Sequence, residues 1–378
     1  MCSSDLSLAE CRITDIRCYL IAERSSAGRF RWRAGLPGSG DGTPPGRDET
    51  FAVLRMDTDA GLTASLRIGR GHAVADLAAR RLKSLIGEPA MLSERLWRKI
   101  WELDRIEEFH VNYLGLMDQL AWDLKSQAAG LPLYQLLGGY ERRVRAYAST
   151  VTWETMDEYE RHVKLCRDQG FTAFKLHAWG DLAEDARLAR NLRKWVGPDA
   201  ELMFDGSAGW DFVDSLKFGR VLEGEGYHWY EEPMREHDIP SYVKLTRELD
   251  IPILACETPD GAHWNAATWI AMGALDMMRT SVSFKGGLTG ALKVAHLAES
   301  HGMRAQVHGM GWANAHLCAA IPNNDFYENL VIDEAQIRDT TVTSVPPVVD
   351  GHISLPTTPG LSPPMDWDRI EKVATAIV

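Results

Sequence analysis

The chain lacks the cysteine patterns of a disulfide-stapled or zinc-bound module. Its six cysteines are scattered and form no C-x-x-C pair, which argues against a zinc knuckle and a disulfide framework. No apolar stretch reaches the roughly 18 residues that a membrane span needs. The first residues, MCSSDLSLAECR, show no basic segment before an apolar run, so we expect no signal peptide. These absences make the reducing cytoplasm the expected location and argue against a membrane partner.

Positive charge is also scarce. Lys and Arg number 41 against 53 Asp and Glu, which gives a formal net charge of −12. Contacts with phosphate backbones would be repulsive, so no nucleic-acid partner is expected. An anionic substrate would need a metal ion or a local cluster of cations. The length of 378 residues suits one large α/β barrel with a smaller domain, or two ordinary domains.

The N-terminal part of the chain has a mixed α+β pattern. Residues 12–22 and 51–57 are predicted strands, and the Gly- and Pro-rich segment 29–49 between them predicts a long mobile loop. Helical spacing of apolar residues follows Ser93, a plausible N-cap, and recurs over 114–130, where Gly130 ends the pattern.

From about residue 144 the pattern alternates between short apolar runs and helical segments. The eight runs cover residues 144–150, 171–178, 201–206, 227–233, 251–257, 275–282, 303–309 and 326–331. Alternating β and α segments are typical of a parallel sheet. Eight strands favour a closed barrel over an open sheet.

Three successive runs carry a carboxylate at or near their C-terminal ends. Asp205, Glu231 and Glu257 are each 26 residues apart, one β/α unit, so neighbouring strands would place them side by side at the mouth of the barrel. Three crowded anions repel each other unless a cation lies between them. Carboxylate oxygens favour Mg²⁺. Other chemistry-bearing residues at strand ends are Lys175, His177, Arg279, Ser281, His308 and Glu328.

Several motifs together resemble one known family. Residues 117–139, MDQLAWDLKSQAAGLPLYQLLGG, are followed in order by FKLH, FDGSAGW, YEEP, ACE, KGGLTG and VHG. The chain resembles the mandelate racemase/muconate lactonizing branch of the enolase superfamily. The resemblance implies an α/β chain with an α+β capping domain (1–140), a (β/α)7β modified TIM barrel (141–345) and a C-terminal segment (346–378) that returns to the capping domain.

The resemblance also implies a chemistry. One Mg²⁺ per subunit would bind Asp205, Glu231 and Glu257, and a proton would be abstracted next to the carboxylate of a small substrate. Lys175 would face the same carboxylate. Glu328 matches the family's acid that donates to this carboxylate when protonated, which requires a raised pKa. A homo-oligomer is expected as well.

The chain departs from the family at three positions. His177 stands where the family usually has the second lysine of Lys-x-Lys. Ser281 stands where the family usually has the Asp that pairs with the seventh-strand histidine, so His308 lacks the carboxylate that normally raises its pKa. Ser207 stands where Asn is common, so we expect one substrate hydrogen bond of the family to be absent.

Further side chains are candidates for substrate binding. Arg31 and Arg33 lie in the long loop that closes over the substrate in the family, and they could hold hydroxyls or a second carboxylate. Arg279 has the strand parity of Ser281 and should point inward, either to pair with an acid or to hold a distal substrate group.

The leading interpretation is dehydration of an acid sugar, an aldonate or aldarate, to a 2-keto-3-deoxy acid, with His177 and His308 acting from opposite faces. The alternative is a racemase or epimerase that uses both bases on one carbon. A muconate-type cycloisomerase is less favoured, because that subgroup typically has lysines on both faces. A non-catalytic protein that kept only metal and ligand binding is a further alternative.

Overall fold

The computed structural model describes residues 11–24, 48–108, 110–334, 337 and 345–378. The first elements form an antiparallel sheet and the helices that cover it. The strands are β1 (Ile13–Arg24), β2 (Asp48–Thr58) and β3 (Thr63–Ile68). The helices are α1 (Gly71–Arg80), α2 (Ser93–Glu107), α3 (Val111–Leu114), α4 (Leu116–Ala129) and α5 (Leu133–Leu136), with a 3-10 turn at Leu82–Leu85.

One face of the antiparallel sheet packs against these helices. Leu54 and Ile16 of the sheet are fully buried in one cluster with Leu77, Leu96 and Leu120 of α1, α2 and α4. Because successive residues of a strand face opposite sides, this apolar side defines the core of the capping domain.

The second sheet contains eight parallel strands. They are β4 (Arg143–Thr150), β5 (Ala173–His177), β6 (Glu201–Asp205), β7 (Trp229–Glu231), β8 (Ile253–Ala255), β9 (Met277–Thr280), β10 (Ala305–Val307) and β11 (Tyr327–Val331). The strands from β4 to β10 pair in chain order, and β11 returns to pair with β4. Side chains join β10 to the segment before β11, where Asn324 Oδ1 accepts from Val307 N at 3.0 Å.

Helices alternate with these strands. They are α6 (Met156–Asp168), α7 (Leu182–Val196), α8 (Phe212–Gly224), α9 (Ile239–Glu248), α10 (Ala262–Met272), α11 (Leu288–Ser300) and α12 (Trp312–Ala320). Polar caps start several of them: Thr155 and Glu158 form a capping box at α6, and Asp181, Asp211 and Asp238 accept from the first amides of α7, α8 and α9. Parallel strands separated by helices give the (β/α)7β modified TIM barrel that the resemblance implied.

The C-terminal residues join both sheets. Strand β12 (His352–Ser354) pairs antiparallel with β4, and after the helix Trp367–Val373 the strand β13 (Ala374–Ile377) pairs antiparallel with β1. No helix in these described ranges is long and apolar enough to cross a membrane.

The capping domain docks on the turn that follows β9 and on the first turn of α11. Trp97 Nε1 of α2 donates to the carbonyl of Gly286 at 2.7 Å. Asp118 of α4 accepts from the amide of Thr289 at 2.9 Å and from its hydroxyl at 2.5 Å. These bonds link the helices of the capping domain to the C-terminal ends of the barrel strands.

Candidate active site

Acidic side chains stand at the ends of three adjacent barrel strands. Asp205 is the last residue of β6, Glu231 is the last residue of β7, and their Cα atoms are register partners. Glu257 follows two residues after the end of β8, the next strand in the sheet. Asp205 and Glu231 are buried. The spacing of 26 residues seen in the sequence thus corresponds to one step around the barrel.

Lys175 lies within this group of carboxylates. It is fully buried on β5, and its Nζ is 3.0 Å from Glu231, 2.9 Å from Glu328 and 3.6 Å from Asp205. Burial alone would lower the pKa of Lys175, but the charges of Glu231 and Glu328 outweigh it and hold the pKa well above its usual value. Lys175 is therefore a fixed positive charge in this site.

Arg279 is a second buried cation in the same group. Its Nε lies 2.7 Å from Glu231 Oε1, and its Nη2 donates to Glu328 and to the Tyr147 hydroxyl, each at 3.0 Å. The side chain has no exposed surface. Of the two roles that strand parity left open, the structure shows pairing with acids.

Glu328 differs from the sequence-based expectation of a protonated donor. It accepts from Ser149 Oγ at 2.8 Å and from Gly309 N at 2.7 Å, besides its contacts with Lys175 and Arg279. Burial alone would raise the pKa of Glu328, but the two cations outweigh it and hold the pKa well below its usual range. In this structure Glu328 is an ionised acceptor, because each oxygen already faces donors.

Negative charge exceeds fixed positive charge in the site. The carboxylates are those of four residues: Asp205, Glu231, Glu257 and Glu328. Lys175 and Arg279 supply two positive charges, so two negative charges remain, the charge that one divalent cation would balance. Burial is the main cause, and the negative charge of Glu231 the second, that raises the pKa of Glu257 well above its usual value. Ionisation of all four carboxylates at the same time therefore requires a further cation.

The donor chemistry fits a hard divalent cation. Carboxylate oxygens are what such ions bind. Glu231 Oε1, which is buried, has no hydrogen bond within the described ranges despite the proximity of Arg279 Nε. Among the described residues, no three acids, histidines or cysteines converge as a ready-made metal cage. Lys175 and Arg279 lie between the carboxylates.

His177 and Asp205 form a contact across neighbouring strands. The ring Nδ1 of His177 faces the carbonyl of Thr150, and because a carbonyl can only accept, Nδ1 carries the hydrogen. The other nitrogen, Nε2, lies 3.2 Å from Asp205 Oδ2. A proton gained at Nε2 would be stabilised by this carboxylate.

His308 has a different environment just after β10. Its Nε2 lies 3.4 Å from Glu257 Oε1, and its Nδ1 has no hydrogen-bond partner among the residues that the structure describes. Ser281, which stands where the family has Asp, accepts from the amide of Phe284 at 2.9 Å instead. Although 27% of the side-chain surface is exposed, burial of the ring nitrogens lowers the pKa of His308 to about 3.

Backbone strain is concentrated at the ends of these strands. Four non-glycine residues have left-handed backbones there: Ser207 at φ 48°, Ala208 at 55°, Glu232 at 40° and Cys256 at 74°. Ser207 also donates from its amide to Asp205 Oδ1 at 2.7 Å, which holds that carboxylate. Strain of this kind persists where surrounding contacts enforce it, and it is typical of functional sites.

Sequence reasoning missed several partners of this site. Tyr147 and Ser149 of β4 contact Arg279 and Glu328, and Glu232 accepts from the amide of Glu257 at 3.1 Å. Glu232 could have been predicted, because it is the second acid of the YEEP motif. No local sequence pattern marks Tyr147 or Ser149. The predicted loop 29–49 lies mostly, and its candidates Arg31 and Arg33 lie entirely, outside the described residues.

Comparisons with known proteins place this geometry in a family. Residues 158–369 match the family described as enolase C-terminal domain-like. Arabinonate dehydratase of Saccharolobus solfataricus is 27% identical over 326 residues, 82% of this chain and 86% of that protein. The 3,6-anhydro-alpha-L-galactonate cycloisomerase of Streptomyces coelicolor is 27% identical over 345 residues, 86% and 91% respectively.

A solved structure agrees over almost the whole length. D-glucarate dehydratase from Agrobacterium tumefaciens, crystallised with magnesium, has a TM-score of 0.86 and 31% identity, and the match covers 97% of this chain and 99% of that one. A capping domain on a (β/α)7β barrel, with acids at the strand ends, defines an enolase-type enzyme. The chain belongs to the enolase superfamily, in its mandelate racemase/muconate lactonizing branch.

Proposed function

We propose that this enzyme abstracts the proton next to the carboxylate of an acid sugar and dehydrates an aldonate or aldarate to a 2-keto-3-deoxy acid. The observation that carries the proposal is one cluster at the barrel mouth. It combines carboxylates on three adjacent strands with Lys175 and, at separate strand ends, His177 and His308. The similarity to arabinonate dehydratase and to D-glucarate dehydratase supports this substrate class.

Asp205, Glu231 and Glu257 would hold one Mg²⁺ per subunit. The surplus of negative charge in the site and the magnesium bound by the D-glucarate dehydratase support this assignment. When bound, the ion supplies Lewis-acid stabilisation of the negative charge that develops on the substrate carboxylate. Removal of a proton from that position creates a dianion, so such stabilisation is needed.

Side chains of the protein would orient the substrate and transfer the protons. Lys175 places a fixed positive charge beside the carboxylates, where it would attract and orient the substrate carboxylate. His177 takes the α proton on Nε2, because its Nδ1 hydrogen is already held by Thr150 and Asp205 stabilises the product imidazolium. His308 would deliver a proton to the departing hydroxyl; because burial lowers its pKa to about 3, this role requires that the bound substrate raise that pKa.

Racemisation or epimerisation is the second candidate. His177 is the last residue of β5 and His308 follows β10, and β6 to β9 lie between them in the order of the sheet. Two proton-transferring groups on different sides of the barrel mouth could serve the two faces of one carbon. The cycloisomerase relative shows that isomerisation also occurs among similar chains.

A substrate screen tests the proposal. The purified protein, loaded with Mg²⁺, is incubated with a library of aldonates and aldarates, and 2-keto acid is assayed chemically. We expect one or a few sugar acids to give 2-keto acid, and the Lys175→Met variant to give none. Formation of an epimer without 2-keto acid would favour the second candidate. Ligand-induced thermal shifts without turnover would contradict catalysis.

Three expectations stay predictions. The homo-oligomer and the cytoplasmic location rest on the resemblance and on the composition of the chain. The third expectation is that Arg31 and Arg33 contact the distal end of the substrate. Alanine variants of these two residues should then mainly raise KM and relax selectivity among sugar acids.

A further inference from the structure

Lys285 is a fully buried lysine that the proposed chemistry does not use. It lies in the turn after β9, and its Nζ donates to three carbonyl oxygens of the loop after β8. These belong to Cys256 at 2.7 Å, Glu257 at 3.0 Å and Pro259 at 3.3 Å. An ammonium group has three hydrogens, so this loop can engage all of them.

The loop that Lys285 holds is strained at the residue before Glu257. Cys256 has φ of 74°, which an L-residue with a side chain rarely adopts. Its carbonyl receives the shortest of the three hydrogen bonds from Lys285. On the other side, the amide of Glu257 donates to Glu232 Oε1 at 3.1 Å. Both main-chain polar groups of Glu257 are therefore held by buried side chains.

Lys285 is itself fixed in place. Its amide donates to the carbonyl of Ser281 at 3.1 Å, and its carbonyl lies so close to Gly290 that a Cβ there would come within 1.6 Å of the oxygen. The next residue, Gly286, accepts from Trp97 of the capping domain. A short turn thus connects the capping domain, the end of β9 and the loop that carries Glu257.

We propose that Lys285 is a positioning residue that fixes the main chain of Glu257, so that its carboxylate is presented to the cation. The inference rests on the proposed function, because it assigns Glu257 to the metal. Lys285 does not touch the substrate or the ion. Hydrogen-bonded partners of metal ligands typically change metal affinity by about 10–100-fold when they are removed.

Metal titration without substrate tests this role. Isothermal titration of Mg²⁺ into metal-free protein should show affinity at least about tenfold weaker for Lys285→Met than for the wild type. The Lys285→Arg variant keeps a cationic donor with a different shape, so its affinity should lie between the two. The turnover number should fall more than KM changes. The matched control is Lys125→Met in the capping domain, whose Nζ donates to Ser93; it should bind Mg²⁺ like the wild type.

Each outcome separates the inference from the proposed function. If Lys285→Met folds and binds Mg²⁺ with wild-type affinity while only its Tm falls, the residue is merely structural and the inference is wrong. If Lys285→Met does not fold, the Mg²⁺ affinity of Lys285→Arg is compared with that of the wild type, and an unchanged affinity again shows that the inference is wrong. If the wild type binds no Mg²⁺ and Glu257→Gln changes nothing, the metal assignment of the proposed function fails instead.

Discussion

At the scale of single residues, the guanidinium of Arg279 is buried and pairs with acids that would be solvated by water if they were exposed. It contacts Glu231 and Glu328 with no exposed surface of its own. Taking charged groups out of water is costly, and the cost is offset only while every charge keeps a partner. The stability of the protein should therefore depend on this residue even in the absence of substrate.

Replacement of Arg279 by Met should lower the free energy of unfolding by about 3–5 kcal/mol, because it leaves buried carboxylates without a partner. Urea unfolding in EDTA measures this. Arg187→Met removes an exposed ion pair with Glu184 and should cause little change. Wild-type stability combined with a raised KM would instead show that Arg279 is a substrate ligand.

The two histidines should behave differently in D₂O. His308→Asn should still exchange the α hydrogen of the substrate without completing elimination, since His177 retains its Thr150 anchor and its Asp205 contact. His177→Asn should do neither. Proton NMR follows the exchange, and His296→Asn on the exposed face of α11 serves as the control. The opposite pattern in the two variants would reverse the assignment.

At the scale of elements, the alternation of apolar runs predicted the eight barrel strands but not their bounds. The run 251–257 contains a strand of only three residues, Ile253–Ala255, because the chain leaves the ladder at the strained Cys256. Strand β3 and helix α1 were not predicted. Three of the six residues of β3 are polar, with Thr63 and Ser65 partly exposed and Arg67 exposed, and its pairing with β2 is set by tertiary structure.

The contact between Asp118 of α4 and Thr289 at the start of α11 should make stability depend on pH. Burial raises the pKa of Asp118 to about 7, whereas an unfolded Asp titrates near pH 4. The folded state keeps the proton longer, so its contribution to stability is full below about pH 4 and is lost as the pH rises to about 7.

Relative to Asp118→Asn, the wild type should lose roughly 1.4 kcal/mol per pH unit over this range and level off above it. Urea unfolding at a series of pH values measures the difference. Parallel pH profiles for the two proteins would show that Asp118 is ionised in the fold.

At the scale of the whole molecule, the order of motifs along the chain predicted the capping domain and barrel. The same order predicted which strand ends carry acids, because a parallel barrel brings those ends to one face. It could not predict that Glu328 contacts two cations, since Arg279 and Lys175 lie on distant strands. Contacts between residues far apart in the sequence leave no local pattern.

The charge surplus at the barrel mouth should appear as metal dependence. Asp205→Asn, Glu231→Gln and Glu257→Gln should each weaken Mg²⁺ binding in calorimetry and abolish turnover, because each removes one carboxylate charge. The matched control is Glu201→Gln at the opposite end of β6, where the carboxylate pairs with Arg145. Equal losses in the control would point to a general effect on folding.

Proton abstraction by this protein should depend on a bound divalent cation, and α-hydrogen exchange in D₂O measures that dependence without requiring the later elimination step. The wild-type protein is incubated with the sugar acid from the screen, first after EDTA treatment and then after Mg²⁺ is restored. We predict exchange only with Mg²⁺, followed by 2-keto acid. Exchange that continues unchanged in EDTA would contradict the account.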